Sequence, residues 1–174
     1  MGLDCSQIRP PEKLSSCHRT EDFCSGNVML DEWLRRRAPK NEAEGASRTY
    51  VVCVGNHVIA YYCLAAGAIA QGIATGKVRR NMPDPIPVMV IGRLAVDSRW
   101  QRQGIGRGLV RDAVLRTLQA AEIAGIRAIL VHAISENAKV FYQSCGFMPS
   151  PLDPMTLMIT VKDARVALGL SASS

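Results

Sequence analysis

The chain has 174 residues, enough for one domain with a sizeable core, and its 48% hydrophobic content excludes a disordered tail. Twenty-one lysines and arginines against 15 acidic residues give a net charge of +6, which favours nucleic acid or another anionic partner without requiring one. The sequence has no export signal and no apolar run of the roughly 20 residues that a membrane span needs, so we expect a cytoplasmic protein with no membrane partner.

Six cysteines are present, and none belongs to a Cys-x-x-Cys pair. Cys53 and Cys63 sit inside apolar runs, a pattern typical of buried, reduced thiols rather than of a disulfide framework or a zinc site. We therefore expect no metal. The first six residues, MGLDCS, also match the short pattern for N-myristoylation, which often matches by chance.

The first third of the chain predicts an irregular lead-in or edge strand over residues 1–19, followed by one helix. Ser25 or Asn27 can cap this helix, and Pro39 is expected to end or bend it. Apolar residues recur at helical spacing at Met29, Leu30, Trp33 and Leu34. Its far end carries a cluster of cations, which suits a solvated helix end that complements the dipole: Arg35, Arg36, Arg37 and Lys40.

A β-hairpin is predicted next, because two β-rich runs, 47–54 and 57–69, flank the turn pair Gly55-Asn56. Residues 67–87 read as a loop rich in glycine and proline that carries Lys77, Arg79 and Arg80. The apolar run VMVIGRLAV, residues 88–96, then predicts a central strand.

The remaining elements alternate between helices and strands. Residues 104–124 predict an amphipathic helix closed by Gly125, and SENAKVFYQSCGF predicts a second helix, capped by Ser135 and stopped by Gly146. RAILVHA and TLMITV predict strands. The order indicates an α/β fold with a mixed sheet in a single domain, residues 1–174.

The junction after the central strand predicts an anion site. A strand feeds a turn with the spacing Gln-x-x-Gly-x-Gly, and a long helix follows. Backbone N–H groups at a helix start have no partner within the helix, and the dipole places partial positive charge there. Arg102 and Arg107 add charge, and glycine lets a phosphate approach the backbone. The alternative is a plain tight turn, which would not need these residues in register.

Two segments resemble the GNAT acetyltransferases. QRQGIG, residues 101–106, matches the family's acetyl-CoA signature Q/R-x-x-G-x-G/A, and AKVFYQSCGF, residues 138–147, resembles A-x-x-(L/F)-Y-x-x-x-G-F. They stand in the family's order, and the resemblance covers about residues 20–162. It implies the GNAT fold, a central mixed sheet flanked by helices, and an acyltransferase of class EC 2.3.1 with acetyl-CoA as donor.

The resemblance narrows to the acetyltransferase toxins of bacterial toxin–antitoxin pairs, the TacT, AtaT and KacT group. The segments that carry it are IGRLAVD, FCSGNVMLDEWL, IAYYCLAAGAI and PSPLDPMTLMITV. It implies transfer of acetyl to the α-amine of aminoacyl-tRNA, which blocks translation. The implied partners are a ribbon-helix-helix antitoxin, operator DNA reached through that antitoxin, and a second copy of the chain in a homodimer.

The family resemblance also assigns roles. Tyr142 matches the general acid, and the ordinary tyrosine pKa, about 10, keeps such a group protonated at neutral pH; the alternative is a core tyrosine. Pantetheine would lie along Leu94, Ala95 and Val96. The pyrophosphate would lie on Arg102, Gln103, Gly104, Ile105, Gly106 and Arg107.

Four further assignments depart from the family pattern or have a structural alternative. Ser135 stands where the family commonly has asparagine, with Asn137 two residues on, and either is a candidate contact to CoA. Arg93 is expected to face the acceptor, with a structural salt bridge as the alternative. His132 is a candidate proton relay, but a structural histidine is the preferred interpretation.

The acceptor side is the least explicit part of the sequence. If the acceptor is tRNA, the basic clusters would contact its phosphates, and Arg35, Arg36, Lys77, Arg79 and Arg80 are the candidates. Acetylation of protein or small-molecule amines is the second hypothesis. A CoA-binding module that acts mainly through antitoxin and operator binding is the third, against which an intact Tyr142 counts.

Overall fold

The computed structural model describes residues 7–170, so Cys5 and the N-myristoylation pattern lie outside the described residues. The helices are α1 (Val28–Glu32), α2 (Ala38–Glu44), α3 (Gly76–Arg79), α4 (Ile105–Ala121), α5 (Glu136–Ser144) and α6 (Val161–Ala167). The strands are β1 (Glu12–Lys13), β2 (Arg48–Val54), β3 (His57–Ile69), β4 (Ile86–Val96), β5 (Ala128–His132), β6 (Met148–Pro149) and β7 (Thr156–Thr160).

The seven strands form one mixed sheet in the order β1-β2-β3-β4-β5-β7-β6, as the α/β prediction requires. The chain divides into two compact units. The first, called here the amino unit, comprises the chain up to Ala65 together with Arg93–Leu109. The second, the carboxyl unit, comprises Ala66–Gly92 together with the chain from Val110 onward.

The amino unit is built on the predicted hairpin. β2 and β3 pair antiparallel, and Gly55 takes the positive φ of +61° that their two-residue turn requires. β1 adds an antiparallel edge strand to β2 within the predicted lead-in. The core of the unit is aromatic and aliphatic, with Phe23, Trp33, Leu34 and Tyr61 all buried.

The carboxyl unit contains the parallel part of the sheet. β4 runs parallel to β5 from Val88, opposite Ala128, to Ile91, opposite Val131. β5 then pairs antiparallel with β7 along its whole length, and β6 covers the outer edge of β7. The first four residues of β5 are buried, as expected for a strand with neighbours on both edges and layers on both faces.

The first helix differs from its prediction at Pro39. Asn27 caps α1 as predicted, with its side-chain oxygen accepting from Met29 N–H at 3.0 Å. The helical backbone then continues through a π-helical turn, residues 33–37, in which Ala38 N–H donates to the Trp33 carbonyl five residues back. A wide turn directly before proline accommodates its missing N–H and its ring, so Pro39 does not end the helix. The helix ends instead at Gly45, where φ is +75°.

The two later helices are confirmed. Ser135 caps α5, accepting from Ala138 N–H at 3.1 Å, and Gly146 follows its end with φ at +98°. In α4 the side chains on the predicted apolar face, Val110, Val114 and Leu118 among them, are buried, whereas Arg111 is exposed. Within residues 7–170 no helix combines the length and the apolar character needed to cross a bilayer.

Three short elements were not predicted. α3 interrupts the expected loop 67–87, and β6 and α6 flank β7. β6 has two residues and α3 has four, too few for a periodic pattern to show. The seven-residue helix α6 begins at Val161, directly after β7. The sequence assigned Val161 to the predicted strand TLMITV, so the start of the helix was not recognised.

Candidate functional site

The turn between β4 and α4 has an unusual backbone. Arg102 and Gly104 both adopt left-handed conformations, with φ at +64° and +84°. A side chain added at Gly104 would meet nothing within 4 Å, so the backbone conformation, not crowding, favours glycine there. The carbonyl of Gly104 accepts from Gly108 N–H at 3.1 Å, which starts the helix. The exposed turn therefore presents the positive end of a 17-residue helix to solvent.

Gln101 fixes the turn to its surroundings. Its side-chain Nε2 donates to the carbonyls of Val96 at 2.9 Å and of Ser25 at 3.0 Å. The Ser25 hydroxyl in turn donates to the buried Asp31 carboxylate at 2.6 Å, one turn into α1. The first glutamine of the signature is thus a structural link in this chain rather than a group directed at a ligand.

Asp97 anchors the start of the same turn through a buried carboxylate. Its buried carboxylate accepts from Cys24 N–H at 3.1 Å and from the Arg99 backbone and guanidinium, both at 3.0 Å. Burial alone would raise the pKa of Asp97, but the hydrogen bonds from Arg99 and Cys24 outweigh burial and hold this pKa below its usual value. Asp97 is therefore charged at neutral pH and fixes where the turn begins.

The end of β4 continues beyond its ladder with β5. The last residue pair of that ladder joins Ile91 to Val131, whereas β4 runs on to Val96. The segment predicted to bind pantetheine, Leu94–Val96, lies in this extension, and Asp97 N–H bonds to the Ile59 carbonyl at 2.8 Å on the β3 side. The geometry fits an extended ligand that pairs along the β4 edge that β5 leaves.

Arg93 lies within the apolar run of β4 and is not buried. Its side chain is exposed, with the guanidinium 4.7 Å above the centre of the Trp33 ring. Trp33 stacks on Tyr61 at 5.9 Å, and the Tyr61 hydroxyl donates to the Leu30 carbonyl at 2.7 Å. Burial raises the pKa of Tyr61, so this hydroxyl remains a donor. The stack holds a cation at the surface of the amino unit.

Arg35 and Arg36, both predicted to bind tRNA, have different surroundings. Arg35 is half-buried and donates to the Phe23 carbonyl at 2.9 Å. Arg36 is exposed and pairs with Glu32 at 2.9 Å, an ion pair that solvent screens. Arg36 is thus available to an anionic partner, whereas Arg35 has a structural task.

Tyr142, the predicted general acid, belongs to the carboxyl unit. Its side chain is only 7% exposed, and its ring lies 5.8 Å from that of Phe147. Ser135 caps the same helix, and Asn137 is exposed in its first turn. The Ser135 hydroxyl accepts from Ala138 N–H and keeps its own proton to donate, and Ser135 and Asn137 are both exposed, so both stay candidate contacts to CoA.

His132 is held in a hydrogen-bonded chain. Its Nδ1 lies 2.9 Å from the Thr156 hydroxyl, which donates to the Asp153 carboxylate at 2.7 Å. The hydrogen bond from Thr156 holds the pKa of Asp153 below its usual value. These contacts favour the structural interpretation of His132.

One group in the described residues has metal-ligand atoms close together. Glu12, His18 and Cys53 place one such atom each within 4.8 Å of the others. However, Ser15 N–H donates to Nδ1 of His18, so Nε2 carries the proton and donates to Glu12 at 3.0 Å. Burial raises the pKa of Cys53 to about 11, which disfavours the thiolate that a metal needs. A hydrogen-bonded cluster explains these contacts better than a metal site.

The predicted residues fall into two groups. The turn, the Leu94–Val96 segment, Arg93, Arg35 and Arg36 belong to the amino unit. Ser135, Asn137, Tyr142 and the basic segment Lys77, Arg79 and Arg80 belong to the carboxyl unit. Sequence reasoning missed Arg127, whose side chain donates to the carbonyls of Lys77 and Val78 at 2.8 and 3.0 Å. No local pattern links residues 50 positions apart.

Comparisons with known proteins show the family of the chain. Residues 45–149 match the family model described as "Acetyltransferase (GNAT) domain". A tRNA-acetylating toxin of Mycobacterium tuberculosis (strain ATCC 25618 / H37Rv) is 46% identical over 159 residues, which cover 91% of this chain and 96% of that protein.

Solved structures of AtaT are also similar. AtaT complexed with acetyl-methionyl-tRNAfMet has a TM-score of 0.85 at 25% identity, over 92% of this chain and 99% of that one. AtaTR bound with AcCoA has a TM-score of 0.82 at 26% identity, over 94% and 99%. The AtaT–AtaR complex bound to DNA has a TM-score of 0.76 at 26% identity, over 92% and 99%.

Proposed function

Because this chain belongs to the GNAT acetyltransferase family, we propose that it transfers the acetyl group of acetyl-CoA to the α-amine of an aminoacyl-tRNA and thereby blocks translation. The observation that carries this proposal is the 46% identity to a tRNA-acetylating toxin over 91% of the chain. We take the whole chain, residues 1–174, to act as one catalytic domain in the cytoplasm, where charged tRNA is found.

The turn fits the pyrophosphate of acetyl-CoA. Its left-handed Arg102 and Gly104 direct the backbone at the start of α4 toward solvent, and the side chains of Arg102 and Arg107 are exposed beside it. Gln103, Ile105 and Gly106 complete the cradle with backbone N–H groups. The free stretch of β4 at Leu94, Ala95 and Val96 would hold the pantetheine arm as an added strand.

Acetyl-CoA supplies a thioester, whose carbonyl carbon is open to attack by an amine and whose sulfur is the leaving atom. The α-amine has an ordinary pKa of about 8, so about a tenth is neutral and nucleophilic at pH 7 and no dedicated base is needed. As the C–N bond forms and the C–S bond breaks, Tyr142 donates its phenolic proton to the departing sulfur, which leaves as a thiol. The new amide nitrogen loses one proton to water, and the phenolate regains one from water, so no net proton is consumed. The ring packing against Phe147 fixes the direction of that hydroxyl.

We expect the acceptor to contact exposed cations. Arg93 is exposed above Trp33 and is suited to the negatively charged 3′ end of the tRNA. Arg36, Lys77, Arg79 and Arg80 are exposed and would contact phosphates farther along the molecule. Arg35 contributes through its charge and by holding the Phe23 segment.

For partners, we propose a ribbon-helix-helix antitoxin, operator DNA bound through it, and a homodimer of this chain. The support is that AtaT, a structural neighbour, is solved with its antitoxin AtaR and with DNA. Co-expression with the neighbouring small reading frame, followed by light scattering, measures both the complex and the oligomeric state.

The proposed function is tested with labelled acetyl-CoA and bulk tRNA, either charged or stripped of its amino acids. We expect label on charged tRNA alone, released by base together with the amino acid. Label on proteins or small amines, with none on charged tRNA, would identify an N-acetyltransferase of another substrate class. Acetyl-CoA binding without any transfer would favour a binding module.

A further inference from the structure

A basic pocket of about 280 Å³ lies in the carboxyl unit, and none of the residues that line it belongs to the turn before α4. Four cations and one carboxylate contribute to its lining: Lys77, Arg80, Arg127, Thr160, Lys162 and Asp163. The predicted tRNA residue Arg79 is not among them. Since four positive charges face one negative charge, the pocket is suited to an anion.

The pocket is held in shape by contacts within the unit. Arg127 donates to the carbonyls of Lys77, Val78 and Arg80 at 2.8, 3.0 and 3.4 Å, and so fixes α3 against the start of β5. Lys77 Nζ lies 3.3 Å from the Asp163 carboxylate, which keeps this exposed lysine turned toward the pocket. Arg127 and Lys77 are therefore positioned before any ligand arrives, which lowers the entropic cost of binding.

The position of the pocket sets a minimum length for any acceptor that reaches both the thioester and the pocket. Arg127 directly precedes β5 and Thr160 ends β7 beside it, whereas His132 lies at the opposite end of β5. A five-residue strand separates its ends by roughly 15 Å. The family resemblance places the thioester toward the His132 end, so an amino acid or a short peptide amine there would not reach the pocket. A nucleic acid would.

We propose that this pocket binds a backbone phosphate of the tRNA, with Lys77, Arg80 and Lys162 supplying charge and Arg127 holding their frame. The proposal rests on the proposed function, because tRNA is the polyanion that the reaction brings to this surface. Thr160 adds a hydroxyl whose oxygen already accepts from Asp163 N–H at 3.0 Å, so its proton is directed to another acceptor. Arg127 and Lys162 thereby join the residues that recognise the substrate.

The test removes two lysines and keeps the frame. In Lys77→Ala/Lys162→Ala, we expect the KM for aminoacyl-tRNA to rise about tenfold at low salt, and the salt dependence of tRNA affinity to flatten by about one unit of slope per lost contact. The Kd for acetyl-CoA and the KM for an aminoacyl-adenosine, which carries the amine but no backbone phosphate, should stay unchanged. Arg111→Ala removes an exposed cation outside the pocket and is the matched control.

An unchanged KM and salt slope in the double variant would overturn the proposal, as would an equal rise in KM for aminoacyl-tRNA and aminoacyl-adenosine. Fluorescence anisotropy with uncharged tRNA separates this result from the fate of the proposed function. Lysine-dependent tRNA binding without acetylation would support the pocket and refute the acetylation of tRNA. Loss of operator-DNA binding in the antitoxin complex, with tRNA binding intact, would assign the pocket to DNA and refute the proposal.

Discussion

The turn before α4 and the basic pocket of the carboxyl unit are both proposed anion sites, but they are built by different means. In the turn, the backbone does most of the work, since two left-handed residues aim a helix start at the ligand. In the pocket, side chains from α3, the start of β5 and α6 supply the charge. A backbone site is encoded by neighbouring residues and has one geometry. A side-chain site is assembled from distant positions and suits a ligand that offers many equivalent phosphates.

The largest expected effect is on kcat, from a substitution that removes the proposed general acid and leaves both anion sites intact. In Tyr142→Phe the hydroxyl is lost and the packing against Phe147 is kept. Loss of a general acid should lower kcat by about 10²- to 10⁴-fold, while the affinities for acetyl-CoA and tRNA stay unchanged. Single-turnover kinetics with equilibrium binding measures the three quantities. Wild-type kcat would make Tyr142 a packing residue only.

The turn itself is tested by Gly104→Glu. A side chain at a φ of +84° strains the backbone, and the carboxylate adds like charge at the pyrophosphate, so affinity for acetyl-CoA should fall by about a thousandfold. Calorimetry measures the change. Gly104→Ala is the control for strain, because its methyl group meets nothing within 4 Å. Equal losses in the two variants would show that conformation matters and charge does not.

Replacing Lys77, Arg79 and Arg80 with alanine tests the side-chain site. Acceptor use should weaken by about tenfold or more for charged tRNA, with a flatter salt dependence, and acetyl-CoA affinity should not change. Because Arg79 lies outside the pocket lining, Arg79→Ala alone should have the smallest effect of the three single substitutions. If the triple variant keeps the wild-type salt slope, tRNA contacts move to Arg36 and its neighbours.

The smallest expected effect is a change in the free energy of unfolding when Asp97, which anchors the turn, is replaced. Asp97→Asn removes the charge that accepts from Arg99 and Cys24, at a cost of about 2 kcal/mol at pH 7. The pKa of Asp97 is lowered in the folded state, so its contribution is complete above the ordinary aspartate pKa, near 4, and is lost as the pH falls through the lowered value. Urea unfolding should show the gap between wild type and variant narrowing below pH 4. A gap that is constant with pH would contradict this assignment.

Local patterns account for what the sequence could predict. The hairpin, α4, and α5 with its caps follow from turn chemistry and apolar spacing, and the Gln101–Gly106 signature located the turn. The predicted close of α4 at Gly125 was wrong, because the helix ends at Ala121 and Gly125 has no positive φ. Of the two outcomes expected at Pro39, an end or a bend, the end was wrong, because a π-helical turn before the proline can absorb what an α-helix cannot. Arg93 was expected to face the acceptor, and its exposure depends on the tertiary packing of β4 rather than on the apolar run around it.

The rest required contacts between distant positions. Arg127 and Lys162 sit in unremarkable sequence, and only the pairing of β5 with β7 brings their neighbourhoods together. Ser25 and Asp31 help to hold the turn because Gln101, which lies 76 residues after Ser25, donates a hydrogen bond to the Ser25 carbonyl. Such links have no signature in a single sequence, because neither partner's local propensity depends on the other.

The cation above Trp33 gives the molecule an optical reporter. Indole emission depends on the charge next to the ring, and the Arg93 guanidinium lies 4.7 Å from its centre. An acceptor that draws Arg93 away would shift the emission of Trp33 at the moment of docking, before any bond is made. The chain has two tryptophans, so in a Trp100→Phe background the signal belongs to Trp33 alone. Stopped-flow fluorescence would then time acceptor arrival separately from acetyl transfer, without any added dye.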